Sequence, residues 1–217
     1  MGKSVADLVR ETNAGLTEPG QTNMVGARDG ESPRFEVYFA PFSVCSHKVR
    51  TVLLEKGIPF VAHRMNLGMR DDKASDSYSP AYVRMRLKGA PGAELVRGYT
   101  GQSSVASEGF DPCVVPTLFD HLHQRVVVDS ARICDYLDRE SDVGTPLVPD
   151  ELASGIDAQI SLIDQAPHVA VLYGVPPEGE DCRPGHLANM LDGVHDRKIV
   201  HLERIKASVA DEPELVA

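Results

Sequence analysis

Residues 35–50 read FEVYFAPFSVCSHKVR, and this stretch decides the fold. Phe35 to Ala40 is a short run of aromatic and β-branched residues, the signature of a strand. Pro41-Phe42-Ser43-Val44 is a turn. From Cys45 the apolar residues Val49, Val52 and Leu53 recur at helical spacing and the pattern stops near Gly57, so a helix is expected there. Cys45 falls on that apolar face by spacing. Ile58 to Leu67 then reads as a second strand. Strand, helix and strand in so few residues predict a parallel βαβ unit.

Downstream, Pro80 to Lys88 is a helix candidate carrying Tyr82, Val83, Met85 and Leu87. Val114 to Phe119 (VVPTLF) is a strand interrupted by Pro116, and Arg125 to Val128 is its hairpin partner across the turn His121–Gln124. A proline at that point marks an edge or a strand start, or a cis bond that bares neighbouring backbone groups. Asp129 or Ser130 then caps a helix whose apolar face is Ile133, Cys134 and Leu137. The intervening residues 68–113 are an insertion. Its second half, GAPGAELVRGYTGQSSVASEGFDP, is longer than a connection in a compact domain requires.

The ends are read differently. Residues 1–33 are rich in Gly, Thr, Asn and Glu with weak periodicity and are expected to form a loose, flexible arm. Residues 142–150 (DVGTPLVPD) hold two prolines and a glycine and read as a linker. Beyond them Leu152, Ile156, Ile160 and Ile163 give a helical stripe that stops or kinks at Pro167. The sets Leu187, Leu191, Val194 and Leu202, Ile205, Val209 predict further helix. An α/β domain over residues 34–141, followed by an all-α segment over 151–217, is the expected architecture.

Bulk properties narrow the function. The chain has 217 residues and a net charge of −10. That balance argues against a nucleic-acid partner and against an anionic membrane surface. No export signal and no membrane-spanning run is read in the sequence, so the cytoplasm is the expected compartment. Cys45, Cys113, Cys134 and Cys182 lack paired or zinc-type spacing and are expected as free thiols. Cys113 and Cys134 read as buried fillers and Cys182 as a loop thiol. Asp120, His121 and His123 cluster at the hairpin turn, where a solvated turn is expected and not a metal site. His186, His195 and His201 show no ligand spacing, so no metal is expected.

Three features converge if the two halves share a sheet: Ser43-Val44-Cys45 at one helix start, Val115-Pro116, and Asp129-Ser130 at another helix start. Helix N-termini present free N–H groups and partial positive charge. A thiolate is stabilised there, and His47, Lys48 and Arg50 add charge. Ser43 has a hydroxyl to donate to a bound thiolate, and Cys45 is a second sulfur nucleophile. Asp129 accepts from an ammonium and Ser130 donates to a carboxylate, which together suit an amino-acid head group. Taken singly, Cys45 is core packing, Pro116 a strand stop and Asp129 an N-cap; the combination points to a reactive Cys45 beside a site for an anionic ligand.

The segments FSVCSHKVR, SPAYVRMRL, VVPTL and DSARICDYL together resemble the thioredoxin-like N-terminal domain of glutathione S-transferases, in particular the zeta-like group. FSVCSHKVR, YTGQSSVASEGFDP and PHVAVLYG are similar to segments of the reductive dehalogenases of that superfamily, which act on chlorinated hydroquinones. The resemblance implies that Ser43 assists the glutathione thiolate, that Val115 and Pro116 pin its cysteinyl backbone and that Asp129 and Ser130 hold its γ-glutamyl end. His47 and Lys48 join the glutathione-binding set, and Cys45 takes the role of the cysteine that attacks the sulfur of an aryl conjugate. It further implies glutathione as cosubstrate, no metal, and a homodimer as an allowed assembly. Residues 151–217 are short for the family's helical domain and end EPELVA without a helix stop, so a partial, truncated C-terminal domain is expected. A transferase or zeta-type cis–trans isomerase, and a glutathione-binding module without turnover, are the alternatives.

Overall fold

A computed structural model describes residues 3–67, 75–89, 111–164, 180–181, 183–185, 188 and 193–210. Most of the insertion 68–113, the segment 167–174, Cys182, His186, Leu187, Leu191 and the His195 side chain lie outside the described residues. The elements in chain order are α1 (Val5–Ala14), β1 (Thr22–Val25), β2 (Phe35–Phe39), α2 (Val44–Glu55), β3 (Phe60–Arg64), α3 (Pro80–Lys88), β4 (Thr117–Asp120), β5 (Arg125–Val128), α4 (Ser130–Glu140), α5 (Ala153–Asp164) and α6 (Val194–Ser208). Single 3-10 turns occupy Pro19–Gln21 and Asp76–Tyr78.

The five strands form one mixed sheet in the order β1-β3-β2-β4-β5. β2 and β3 are parallel, with Phe35 opposite Phe60 and Phe39 opposite Arg64. β4 runs antiparallel to β2, and β5 antiparallel to β4. The helix α2 between β2 and β3 ends in a Schellman turn: Gly57 has a φ of 65°, its N–H donates to the Leu54 carbonyl, and the Ile58 N–H donates to that of Leu53. A left-handed residue at that position is what lets the chain leave the helix and re-enter the sheet.

Period-two alternation along β2 splits its side chains between two cores. Phe35, Val37 and Phe39 pack with Val49, Leu53, Phe60, Ile133 and Leu137, under α2 and α4. Tyr38 packs with Leu8, Val9, Leu16, Tyr82, Met85 and Phe119, under α1 and α3. Both faces of the sheet are thus covered, and all five residues of β2 are buried.

The expected flexible arm over residues 1–33 is corrected by the structure. Ser4 caps α1, Leu8, Val9 and Leu16 enter the core, and β1 pairs antiparallel with β3 from Thr22–His63 to Val25–Phe60. The sequence hides this helix because α1 places few apolar residues among many charged and polar ones. Leu8, Val9 and Thr12 nevertheless form one buried stripe, and burying an aliphatic side chain contributes about 1.5–3 kcal/mol.

Residues 142–150 are tied down. The Lys56 ammonium, in a side chain 1% exposed, donates to Asp138 at 2.8 Å. Asp138 also accepts the N–H groups of Leu147 and Val148 at 2.9 and 3.3 Å. Gly144, at φ 75°, sits so close that an added Cβ would lie 2.9 Å from the Lys56 carbonyl oxygen. Beyond this segment α5 and α6 are helical. Leu152, Leu162 and Ile163 are exposed, while Val209 after α6 is buried.

Candidate functional site

The sheet register brings three chain segments to one rim. Tyr38 on β2 is opposite Thr117 on β4, and Thr117 is opposite Val128 on β5. β2 leaves the sheet at this rim toward Ser43, β4 enters it from Val115-Pro116, and β5 leaves it into Asp129-Ser130. Neighbouring strands lie about 4.8 Å apart, so the three exits span about 10 Å.

Each segment is shaped by its own local chemistry. Ser43 caps α2, its Oγ accepting the Ser46 N–H at 3.2 Å. The Ser46 hydroxyl is buried against the Ala40 amide, which donates to it at 3.3 Å. This corrects the placement of Cys45. Ser46, Val49 and Leu53 hold the inward face of α2, and Cys45 is exposed in the first turn. The His47 Nε2 lies 2.7 Å from the Pro41 carbonyl oxygen, closing the turn before the helix. Lys48 is half-buried, and the Arg50 guanidinium stacks 4.4 Å over the Phe39 ring. Phe42 and Val44, 70% and 74% exposed, leave apolar surface on both sides of Ser43.

The Val115-Pro116 peptide is cis, and Pro116 immediately precedes the first paired residue of β4. Asp129 is the N-cap of α4 and accepts the Ala131 and Arg132 N–H groups at 2.9 and 3.3 Å. Its φ is 72°, a left-handed conformation that a non-glycine residue holds at a cost of about 1–3 kcal/mol. Ser130 is buried at the first helical position.

Sequence reading did not single out Arg86 and Tyr82 as part of this rim. Arg86 is 3% exposed and donates to the Pro116 carbonyl at 2.8 Å and to the Thr117 hydroxyl at 2.7 Å. Tyr82 donates to the Val114 carbonyl at 2.8 Å. The available signal was spacing: Arg86 falls four residues after Tyr82, on the side of α3 where an apolar residue belongs.

The remaining candidates sit elsewhere. Cys113 is buried, and burial first, then the Asp111 carboxylate, push its thiol up to about 12, which leaves it protonated and unreactive at neutral pH. Cys134 is half-buried against the α2–α4 core. At the opposite rim Asp120 binds the Arg34 guanidinium and the Tyr136 hydroxyl. His121 contacts Glu36 at 2.6 Å and His123 contacts Glu140 at 3.2 Å. Each of the three thus meets a different carboxylate or guanidinium partner, with Arg34 reaching both Asp120 and Glu140. The His201 ring stacks on Tyr78. Among the described residues no helix is long and apolar enough to cross a membrane.

A mixed sheet with helices on both faces, a cis-proline entering one strand and helix starts on either side of it defines a thioredoxin-like domain. Residues 42–140 match the family model of the glutathione S-transferase N-terminal domain. It is 39% and 38% identical, over 94% of its length, to the 2,5-dichlorohydroquinone reductive dechlorinases of two strains of Sphingobium indicum. The chain spans 61% of the length of those relatives. A solved glutathione transferase from Phanerochaete chrysosporium, in complex with oxidized glutathione, is similar over 85% of this chain and 72% of that one, at 16% identity and a TM-score of 0.42.

Proposed function

We propose that the chain is a glutathione-dependent enzyme that removes chloride reductively from a chlorinated hydroquinone. The observation that carries the reading is the shared rim, where an exposed cysteine two residues after a helix-capping serine lies beside a cis-proline segment and a second helix start. The names of the relatives at 39% and 38% identity supply the substrate class.

In this reading glutathione lies along the rim. Its γ-glutamyl ammonium is accepted by Asp129 and its carboxylate takes the Ser130 hydroxyl. Backbone groups of Val115, beside Pro116, pair with the cysteinyl residue. His47 and Lys48 join the glutathione-binding set, Lys48 supplying positive charge, and Ser43 donates its hydroxyl to the thiolate. The partial positive charge at the start of α2 favours anionic sulfur in front of it. Phe42 and Val44 offer apolar surface for an aromatic ring.

Glutathione thiolate forms a carbon–sulfur bond to the ring and chloride leaves. The Cys45 thiolate then attacks the sulfur of the conjugate; the carbon–sulfur bond breaks, the ring carbon takes a proton, and a Cys45–glutathione disulfide forms. A second glutathione attacks that disulfide, releasing oxidised glutathione and the Cys45 thiol. The two electrons that reduce the ring come from the two glutathione thiols, which leave as the disulfide, and Cys45 is regenerated.

Cys45→Ser separates the steps. Chloride release from the first turnover is expected to persist, while dechlorinated hydroquinone and oxidised glutathione fail to appear and the aryl conjugate accumulates. Full release of hydroquinone by Cys45→Ser, followed by chromatography, overturns the assigned role. Return of glutathione unchanged with an isomerised substrate would favour a zeta-type isomerase instead. Glutathione binding without any turnover would favour a binding module.

A further inference from the structure

Asp111 stands four residues before the cis-proline peptide, and three parts of the chain meet on it. Its Oδ1 accepts the Cys113 N–H at 2.7 Å, which folds the segment back on itself. Its backbone carbonyl accepts from Arg86 of α3 at 3.2 Å. Its Oδ2 pairs with the ammonium of Lys198, from α6. The same Arg86 holds the Pro116 carbonyl, and Tyr82 holds that of Val114. Among the described residues, 111–117 are therefore gripped by α3 on buried and part-buried hydrogen bonds and by α6 through an ion pair.

The two grips differ in kind. Arg86 and Tyr82 are buried and fixed by several partners, so they set the segment permanently. Lys198 and Asp111 have side chains 31% and 35% exposed. A pair of that exposure is worth up to about 1 kcal/mol. It restrains the one side chain that holds the Cys113 amide, two residues from Val115.

We propose that Lys198 is a positioning residue: through Asp111 it holds the backbone of residues 113–116 in the geometry that receives glutathione, and so couples the C-terminal helix to glutathione affinity. This rests on the reading of Val115-Pro116 as the site for the glutathione backbone.

The test compares the full chain with Lys198→Ala, Lys198→Arg and Asp111→Asn. Calorimetric binding of glutathione is expected to weaken about three- to five-fold in Lys198→Ala, the factor that about 1 kcal/mol corresponds to. The turnover number at saturating glutathione stays within about two-fold of the parent, because no transition-state contact is lost. Lys198→Arg restores affinity. Asp111→Asn keeps an acceptor for the Cys113 amide but loses the ion pair, and weakens binding by the same factor; the double variant is no weaker than either single one. Without ligand, Lys198→Ala speeds hydrogen exchange at the Cys113 amide. Unchanged affinity and exchange in Lys198→Ala overturn the proposal, as does a loss that arginine does not restore. If the parent itself fails to bind glutathione, the reading of the rim fails and this proposal falls with it.

Discussion

The role proposed for Ser43 puts two tasks on one oxygen. The Oγ accepts the Ser46 N–H and so caps α2, while its proton remains available to a sulfur in front of the helix. The two tasks can be separated by substitution. Ser43→Ala removes both and is expected to lower stability by about 1 kcal/mol. Ser43→Asn keeps an N-cap acceptor and is expected to hold stability near the parent's while losing the same activity as Ser43→Ala. Urea unfolding and initial rates at saturating glutathione check this; full activity in Ser43→Asn removes Ser43 from the chemistry. Asp129 is proposed to combine two tasks in the same way; it caps α4 at a φ of 72°. Most of these residues were legible in the sequence because each sits at a helix start or beside a proline, where local rules are strong. The side on which Cys45 faces was not, since spacing alone put it with Val49 and Val52. The core took the small hydroxyl of Ser46 instead, because the Ala40 amide there needs an acceptor.

Among the elements, β2, α2, β3, α3, β4, β5 and α4 follow from short-range pattern: alternation, caps and turns. The helix α1 and strand β1 do not. Their stabilisation is non-local, from the sheet edge of β3 and from packing beside α3, and a single pass along residues 1–33 cannot see either partner. Burial of Leu8 in the α1–α3 core gives the test. Leu8→Ala is expected to destabilise the whole domain by about 2–5 kcal/mol, the range for emptying a buried leucine site. A loose arm would give a change near zero. Chemical denaturation followed by circular dichroism distinguishes the two. The clamp of Arg86 and Tyr82 on residues 114–117 was hidden for a related reason: an arginine inside an apolar stripe has no local explanation until the cis-proline segment is seen against it.

At the scale of the molecule, the candidate site gathers at one rim and a buried charge network runs toward the other. Glu36 on β2 receives His63 at 2.6 Å, His121 at 2.6 Å and Asn13 at 3.0 Å, and His63 in turn meets the Thr22 hydroxyl at 3.0 Å. This joins α1, β1, β2, β3 and the β4–β5 turn. Burial by itself would raise the Glu36 carboxyl, but the hydrogen bonds from His63, Asn13 and His121 outweigh it and hold it at about 2, below its ordinary 4.5. A carboxylate depressed on folding contributes stability that is complete above its unfolded value and is lost as pH falls through its folded one. Between about pH 5 and pH 2 the parent is therefore expected to lose on the order of 3 kcal/mol more stability than Glu36→Gln. Equal losses in urea titrations of both proteins would remove the network from acid stability. These contacts hold the scaffold; the chemistry is claimed for the other rim. The most direct test of that claim is a single turnover of the chain with glutathionyl-hydroquinone, quenched in acid and analysed by peptide mass spectrometry. One glutathione in disulfide linkage on Cys45 is expected, formed in step with free hydroquinone and absent from Cys45→Ser; hydroquinone released with Cys45 unmodified, or glutathione found on another cysteine, would rule out Cys45 as the second nucleophile.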